Sequence, residues 1–338
     1  MSLRDNKSDS SSNMRAEIYR CIKCEENLKW PNGFESLRCH NCNSVFQYNQ
    51  NSNYGYLDFV VQGSAEASKN QVMYPVENIA EKYNNFLIWL FETMQTDQNT
   101  FRNKLYKRLD LKQKDKILIT SCGTGEDLVA LHSNFGDLDL AIYAQDISSG
   151  MIIECIRNLQ EINLMTSEIN VSDASRLPYR DNFFDSVFHF GGINYFSEKK
   201  SAISEMTRVA KAGATIGIID ESIAPWLRES EFGKMMMNNN SLWEATPPID
   251  LLPFESTEVV LTYELENCFY YLTFKKSYNF PNVNLDVPHI GPRGGTIRTR
   301  YEGALEGVTL SAKKKAIKKA HESKISLSEY LNQLIERD

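Results

Sequence analysis

The sequence has no apolar run approaching the ~20 residues that a membrane-spanning helix needs. Its start, Met1-Ser-Leu-Arg-Asp-Asn-Lys-Ser-Asp-Ser-Ser-Ser-Asn13, lacks a hydrophobic h-region and reads as a disordered lead-in over 1–15, not a secretory signal. Both absences make a cytoplasmic protein with no membrane partner the expectation. An excess of positive charge is missing too: 37 Lys and Arg stand against 44 Asp and Glu, for a net charge of -7. Nucleic-acid binding over a whole surface depends on neutralising phosphates, so it is disfavoured, although local basic patches stay open. The cysteines do not form an even set. Of seven, four sit in two CxxC pairs while Cys122, Cys155 and Cys268 are scattered in apolar segments, which favours a metal site plus buried thiols over a disulfide framework.

What is there suits a globular chain. Hydrophobic residues make up 42% and charged residues 24%, and 338 residues allow about two or three domains. Cys21-Ile-Lys-Cys24 and Cys39-His-Asn-Cys42 are two knuckles separated by fourteen residues. Four thiolates from two tight turns meet the tetrahedral demand of zinc, and the Pro-Asn-Gly turn between them suits a zinc ribbon over 16–62. A redox dithiol or unliganded cysteines would not account for two knuckles in so short a segment. His40 lies within the second knuckle but is a bystander where four cysteines are available. A closed four-thiolate shell has no open position, so the metal is expected to be structural.

Residues 54–61 could form a strand that docks this ribbon on the rest of the chain. From 76 to 109 apolar residues recur at helical spacing, a lead-in whose Tyr74 and Tyr83 are the aromatic positions that could touch a ligand. Next comes Lys116-Ile-Leu-Ile-Thr-Ser-Cys-Gly-Thr-Gly125, an apolar run halted by a glycine turn that opens a helix. Glycine is needed where backbone turns sharply and comes close to a ligand, although an ordinary strand-to-helix turn uses it too. Helices and strands then alternate: helix 127–135, strand 138–145, helix 148–163 capped by Ser148, strand 167–171, strand 182–190, helix 198–210 and strand 215–219. Strands at 258–265 and 269–274 come last. This order predicts an α/β fold, a doubly wound and mostly parallel seven-stranded sheet.

Five blocks carry a resemblance at this point: Ser121-Cys-Gly-Thr-Gly125, Ala144-Gln-Asp-Ile-Ser-Ser-Gly-Met151, Ser172-Asp-Ala-Ser-Arg-Leu-Pro-Tyr179, Asp181-Asn-Phe-Phe-Asp185 and Glu205-Met-Thr-Arg-Val-Ala-Lys-Ala-Gly213. In order and interval they resemble class I S-adenosylmethionine-dependent methyltransferases, in the branch of the ubiquinone and menaquinone C-methyltransferases, over about 75–276. The resemblance implies a Rossmann-like fold with S-adenosyl-L-methionine lying across the carboxyl ends of the strands. Asp146 would accept from the ribose hydroxyls, Asp173 would take the adenine amino group beside the Ala174 backbone, and Gly123 and Gly125 would admit the amino acid and ribose. Ser121, Ile147 and Phe190 complete the implied cofactor-binding set. Asp146 and Asp173 could instead be simple caps or turn residues.

One departure is plain. The family has an acidic residue two positions before the first motif glycine, whose place Ser121 takes here. That acidic position is Ile119, so the usual anchor for the methionine amino group is missing. Glu126 could compensate or could cap its helix. For the acceptor side, His189, Asn194, Tyr195 and Glu221 are the candidate catalytic groups near the ends of the fourth and fifth strands. His189 alone titrates near neutrality, and a buried core histidine is the competing reading.

Residues 222–253, irregular and rich in Met and Asn, offer Trp226, Trp243 and Met235 to Met237 as either a substrate lid or adaptable packing. A linker over 277–301 leads to a small helical module over 302–338. There Ser311-Ala-Lys-Lys-Lys-Ala-Ile-Lys-Lys-Ala-His-Glu322 and Ile325-Ser-Leu-Ser-Glu-Tyr-Leu-Asn-Gln-Leu-Ile335 are amphipathic. The pair is similar to the helical part of ribbon-helix-helix modules, which implies a homodimer contact. DNA binding would need a polar strand, for which residues 296–300 are the candidate. Methyl transfer to a small molecule is the leading function. An RNA acceptor and a non-catalytic regulator or scaffold on the same fold are the alternatives.

Overall fold

The computed structural model describes residues 16–30, 35–51, 54–60, 79–162, 164, 168–278, 283–290, 295–302 and 308–336. The chain divides into two units, Met1–Phe280 and Pro281–Asp338.

The first unit begins with four short strands, β1 (Leu28–Lys29), β2 (Ser36–Cys39), β3 (Val45–Asn51) and β4 (Tyr54–Asp58), paired antiparallel in succession. Two helices come next, α1 (Ile79–Thr93) and α2 (Gln98–Tyr106), the second capped by Asp97, which accepts from the Thr100 amide. Then come β5 (Lys116–Thr120), α3 (Glu126–Phe135), β6 (Ala141–Asp146), α4 (Ser149–Glu161), β7 (Glu168–Val171), β8 (Phe184–Phe190), α5 (Lys199–Val209) and β9 (Ala210–Glu221). As expected, Ser148 caps α4, accepting from Met151 N. A helix α6 (Glu231–Asn239) precedes the hairpin of β10 (Ser256–Glu264) and β11 (Phe269–Lys276).

The strands form one sheet in the order β1-β2-β3-β4-β7-β6-β5-β8-β9-β11-β10. From β7 to β9 all pairings are parallel, and β11 runs antiparallel to β9. The expected seven-stranded doubly wound sheet is thus β5 to β11. The ribbon extends that sheet, because β4 pairs parallel with β7 through Leu57 opposite Asn170 and Asp58 opposite Val171. The apolar run Ile117 to Ile119 is fully buried, as a central parallel strand covered on both faces requires. The strand order reverses around β5, and a crevice forms at the carboxyl ends on either side of such a switch point.

Two expectations are corrected. Residues 222–253 hold the regular helix α6, started by Ser230, whose hydroxyl accepts from Gly233 N. Trp243 there is only 1% exposed and belongs to the core, so it is no lid residue; Met236 and Met237 also pack against that core. Second, residues 296–300 form no strand. In the second unit they enter helix α7 (Ile297–Glu302), where Thr299 N donates to Thr296 Oγ1 and Arg298 pairs with Asp286. Helices α8 (Leu310–Glu322) and α9 (Leu327–Ile335) complete the unit, capped by Thr309 and Ser326. The polar strand that the DNA-binding comparison needed is therefore absent among the described residues.

Candidate functional site

The turn after β5 holds Ser121 and Gly123 at φ 53° and Gly125 at φ 98°, left-handed conformations that terminate the strand. Gly123 N donates to Asp146 Oδ2 at 3.0 Å and Ser148 N to Asp146 Oδ1 at 2.9 Å. The carboxylate at the end of β6 is thus fixed beside the turn. Burial raises its pKa, against the lowering effect of those amides. A Cβ at Gly123 would come within 3.4 Å of the Tyr83 ring.

Gly125 has a different cause from the one expected. Its Cβ would lie 2.8 Å from Cys155 Sγ on α4, so its small size serves helix packing. It does not line the cavity that opens in front of the turn, whereas Ser121, Gly123, Asp146, Ile147, Asp173, Ala174 and Phe190 all do. That cavity measures about 420 Å³. Asp173 Oδ1 also accepts from Ser175 N at 2.8 Å, so this residue is a turn cap and a cavity wall at once.

Of the acceptor-side residues, Tyr195 and Glu221 line the cavity; His189 and Asn194 do not. Alternate residues of a strand face opposite ways, and Phe190 takes the cavity side. His189 is fully buried, with Nδ1 3.0 Å from Thr120 Oγ1 and its ring edge-on to Phe196. Burial pushes its pKa down to about 4, so it is a neutral core histidine. Asn194 is a brace: its amide donates to Asp220 Oδ2 and its Nδ2 to the Glu221 carbonyl, each at 2.8 Å. Glu221 is held well above the usual carboxylate range, by burial first and by neighbouring Asp220 second.

Other wall residues escape a reading of the sequence. Phe86, Leu87 and Leu90 of α1 join Tyr83 there, and Asn240 and Leu242 come from beyond α6; Tyr74 lies outside the described residues. Arg102 of α2 also lines the cavity. It is 2% exposed, bonds the Asp127 carboxylate and lies 4.5 Å from the Phe190 ring centroid. In the sequence it is one arginine in a polar helical stretch, and only the nearby acid in Gly125-Glu-Asp127 hints at a partner. Glu126 is not in the wall; its carboxylate accepts from Thr124 Oγ1.

A second cluster lies in the ribbon. The sulfurs of Cys21, Cys24, Cys39 and Cys42 all lie within 4.8 Å of one another, with Cys21–Cys42 at 3.5 Å and Cys24–Cys39 at 3.3 Å. A tetrahedral ion with ~2.3 Å bonds to sulfur needs sulfurs ~3.8 Å apart, so the set can close on one ion. His40 is exposed and outside the set.

The ribbon reaches the cavity through the chain. Arg20 N donates to Pro178 O at 2.9 Å, Arg180 N donates to Ile18 O at 3.2 Å, and the Tyr19 ring stacks on Tyr179. From the other side Arg208 donates to Leu177 O, Tyr179 O and Asp181. Residues 177–181 are therefore clamped between ribbon and α5, and they continue directly from Asp173 and Ala174.

Comparison with known proteins places the chain among relatives. Residues 118–218 match the family model described as a methyltransferase domain, so the resemblance holds over the central strands. A demethylmenaquinone methyltransferase of Bacillus mycoides is 28% identical over 163 residues, 46% of this chain and 65% of that protein. The ubiquinone/menaquinone biosynthesis C-methyltransferase UbiE of Neisseria meningitidis serogroup C is 30% identical over 115 residues, 33% of this chain and 45% of that one. The chain thus spans under two thirds of the length of either relative. Among solved structures, phosphoethanolamine N-methyltransferase 2 of Haemonchus contortus in complex with S-adenosyl-L-methionine superposes with a TM-score of 0.48 at 13% identity, covering 64% of this chain and 61% of that one.

Proposed function

We propose that this chain is an S-adenosylmethionine-dependent methyltransferase acting on a small molecule in the cavity at the carboxyl ends of the strands. The observation that carries the reading is the Asp146 carboxylate, fixed by Gly123 N and Ser148 N in a wall shared with Asp173 and Ala174. The cofactor supplies an activated methyl group. Asp146 accepts from its ribose hydroxyls, Asp173 and Ala174 hold the adenine edge, and Gly123 permits close approach. Ser121, Ile147 and Phe190 border it.

Phe86, Leu87, Leu90, Phe196 and Phe269 make the wall apolar, which excludes water and suits an acceptor with an apolar body. The relatives' names support an acceptor of quinone type. Alignment of acceptor and methyl group provides much of the acceleration. Where the acceptor must lose a proton, Glu221 and Tyr195 are the two acceptor-side candidates that line the wall, and a positioned base contributes about 10²- to 10⁴-fold.

The four-cysteine cluster fits zinc. Its closed sulfur shell makes the ion structural, and a thiol-reducing cytoplasmic setting suits such ligands. Among the described residues no helix is long and apolar enough to cross a membrane. In the second unit Leu310, Leu334 and Ile335 are exposed, which supports a homodimer contact through α8 and α9 that light scattering would test.

Calorimetric titration with S-adenosylmethionine and S-adenosylhomocysteine tests the reading. Binding of both is expected; binding of neither would leave a non-catalytic scaffold as the better account. Methyl transfer to RNA in preference to small molecules would favour the RNA alternative.

A further inference from the structure

The missing acid at position 119 and the buried Arg102 belong to one question: what holds the methionine end of the cofactor. Ile119 is fully buried in the core and offers no group to an ammonium. Arg102 has the opposite character. It is 2% exposed, lines the cavity, and keeps its Nε–H without a hydrogen-bond partner among the described residues. An arginine has five donors, and a buried donor left unmade costs about 1–3 kcal/mol. Its partner Asp127 also accepts from the Tyr106 hydroxyl, so the carboxylate and the phenol hold the guanidinium in one orientation. The Phe190 ring, a wall residue itself, lies 4.5 Å from the guanidinium carbon.

The position along the cavity is set by the turn. Gly123 donates to Asp146, which sets the ribose end, and the chain then runs only four residues to Asp127, which carries Arg102. Between them α3 starts at Gly125 with no side-chain cap. A helix N-terminus favours negative charge, in the same sense as the guanidinium.

The geometry points to Arg102 as the cofactor-binding residue for the α-carboxylate of S-adenosylmethionine, so that this chain grips the methionine end by its anionic group. The inference rests on the proposed cofactor reading. It explains how the usual acidic anchor can be absent: the side chain offered at the wall here is a guanidinium, held by Asp127, with a donor to spare.

The test is calorimetric titration of the full chain with S-adenosylhomocysteine and with 5′-methylthioadenosine, which keeps the adenosine and lacks the carboxylate. A charge-assisted bond is worth about 10- to 100-fold in affinity, so the wild type should prefer S-adenosylhomocysteine by at least that factor. Arg102→Met should lose this preference while still binding methylthioadenosine, and Arg102→Lys should regain part of it. The double variant Arg102→Met/Asp127→Asn removes the acid that the single change leaves unpaired and should behave like Arg102→Met. Equal binding of the two ligands by the wild type overturns the proposal without any variant. A preference that survives in Arg102→Met overturns it as well, leaving the cofactor reading intact. No binding of either ligand by the wild type overturns both.

Discussion

All four sulfurs of the ribbon come from the single stretch between Cys21 and Cys42, whereas the walls of the cavity come from α1, α2, the turn after β5, and the ends of β6, β7, β8, β9 and β11. The first site is made by two local turns, each of which places two cysteines; the second exists only because a parallel sheet brings distant strand ends to one edge. They are nonetheless joined, since β4 pairs with β7 and residues 177–181 are held by the ribbon on one side and Arg208 on the other. A local site should fail as a unit, and a dispersed one should fail wall by wall.

The largest expected effect is loss of the metal. Cys39 is fully buried, so Cys39→Ser should abolish metal content by elemental analysis and cost several kcal/mol in chemical denaturation, since structural zinc contributes up to about 10–16 kcal/mol to small folds. S-adenosylhomocysteine affinity should fall with it through residues 177–181. An unchanged affinity in a metal-free, folded protein would show that the two regions are independent.

Next comes Asp146→Ala, which removes the acceptor for the ribose hydroxyls and frees two backbone amides. Affinity for S-adenosylhomocysteine should drop about 100-fold, as loss of paired charge-assisted bonds implies, with metal content unchanged. Calorimetry with full affinity retained would refute the ribose assignment.

Gly125→Ala separates packing from ligand contact. A methyl group at φ 98° and 2.8 Å from Cys155 Sγ should cost about 2 kcal/mol of stability by urea titration. Cofactor affinity measured on the folded fraction should change little. An affinity loss that outstrips the stability loss would return this glycine to the binding site.

The smallest effect concerns His189. Its folded pKa is lowered by burial to about 4 from an ordinary 6.5, so the unfolded chain binds the proton first. Its contribution to stability is full above pH 6.5 and is lost as the pH falls towards 4. Between pH 7 and 5.5 this amounts to about 1 kcal/mol. His189→Gln should flatten that part of the stability curve relative to wild type, and an unchanged slope would contradict the buried neutral state.

Some of this is legible in the sequence, and the rest is hidden for definable reasons. Strand and helix order, Ser148 as a cap and the two knuckles depend on short-range pattern and spacing, which survive in a one-dimensional reading. His189 is misplaced by such a reading because alternation along β8 assigns one face to Phe190 and the other to its neighbour, and only pairing with β5 and β9 decides which face meets the cavity. Asn194 stands among the candidate catalytic groups in such a reading because its bonds to Asp220 and Glu221 cross to another strand. The Thr and Arg content of residues 296–300 suggests a strand, yet Thr296 and Thr299 bond each other in a helical turn.

By itself, then, the sequence determined the four-cysteine cluster, the glycine turn and the carboxylates at the ends of β6 and β7, since each depends on residue type at a short, fixed spacing. Tertiary structure alone decided which glycine serves packing, which acceptor-side groups reach the cavity, and that Arg102 stands at its wall against Asp127. The physical reason is that burial and charge pairing depend on neighbours brought together by the sheet, and no local pattern records who those neighbours are.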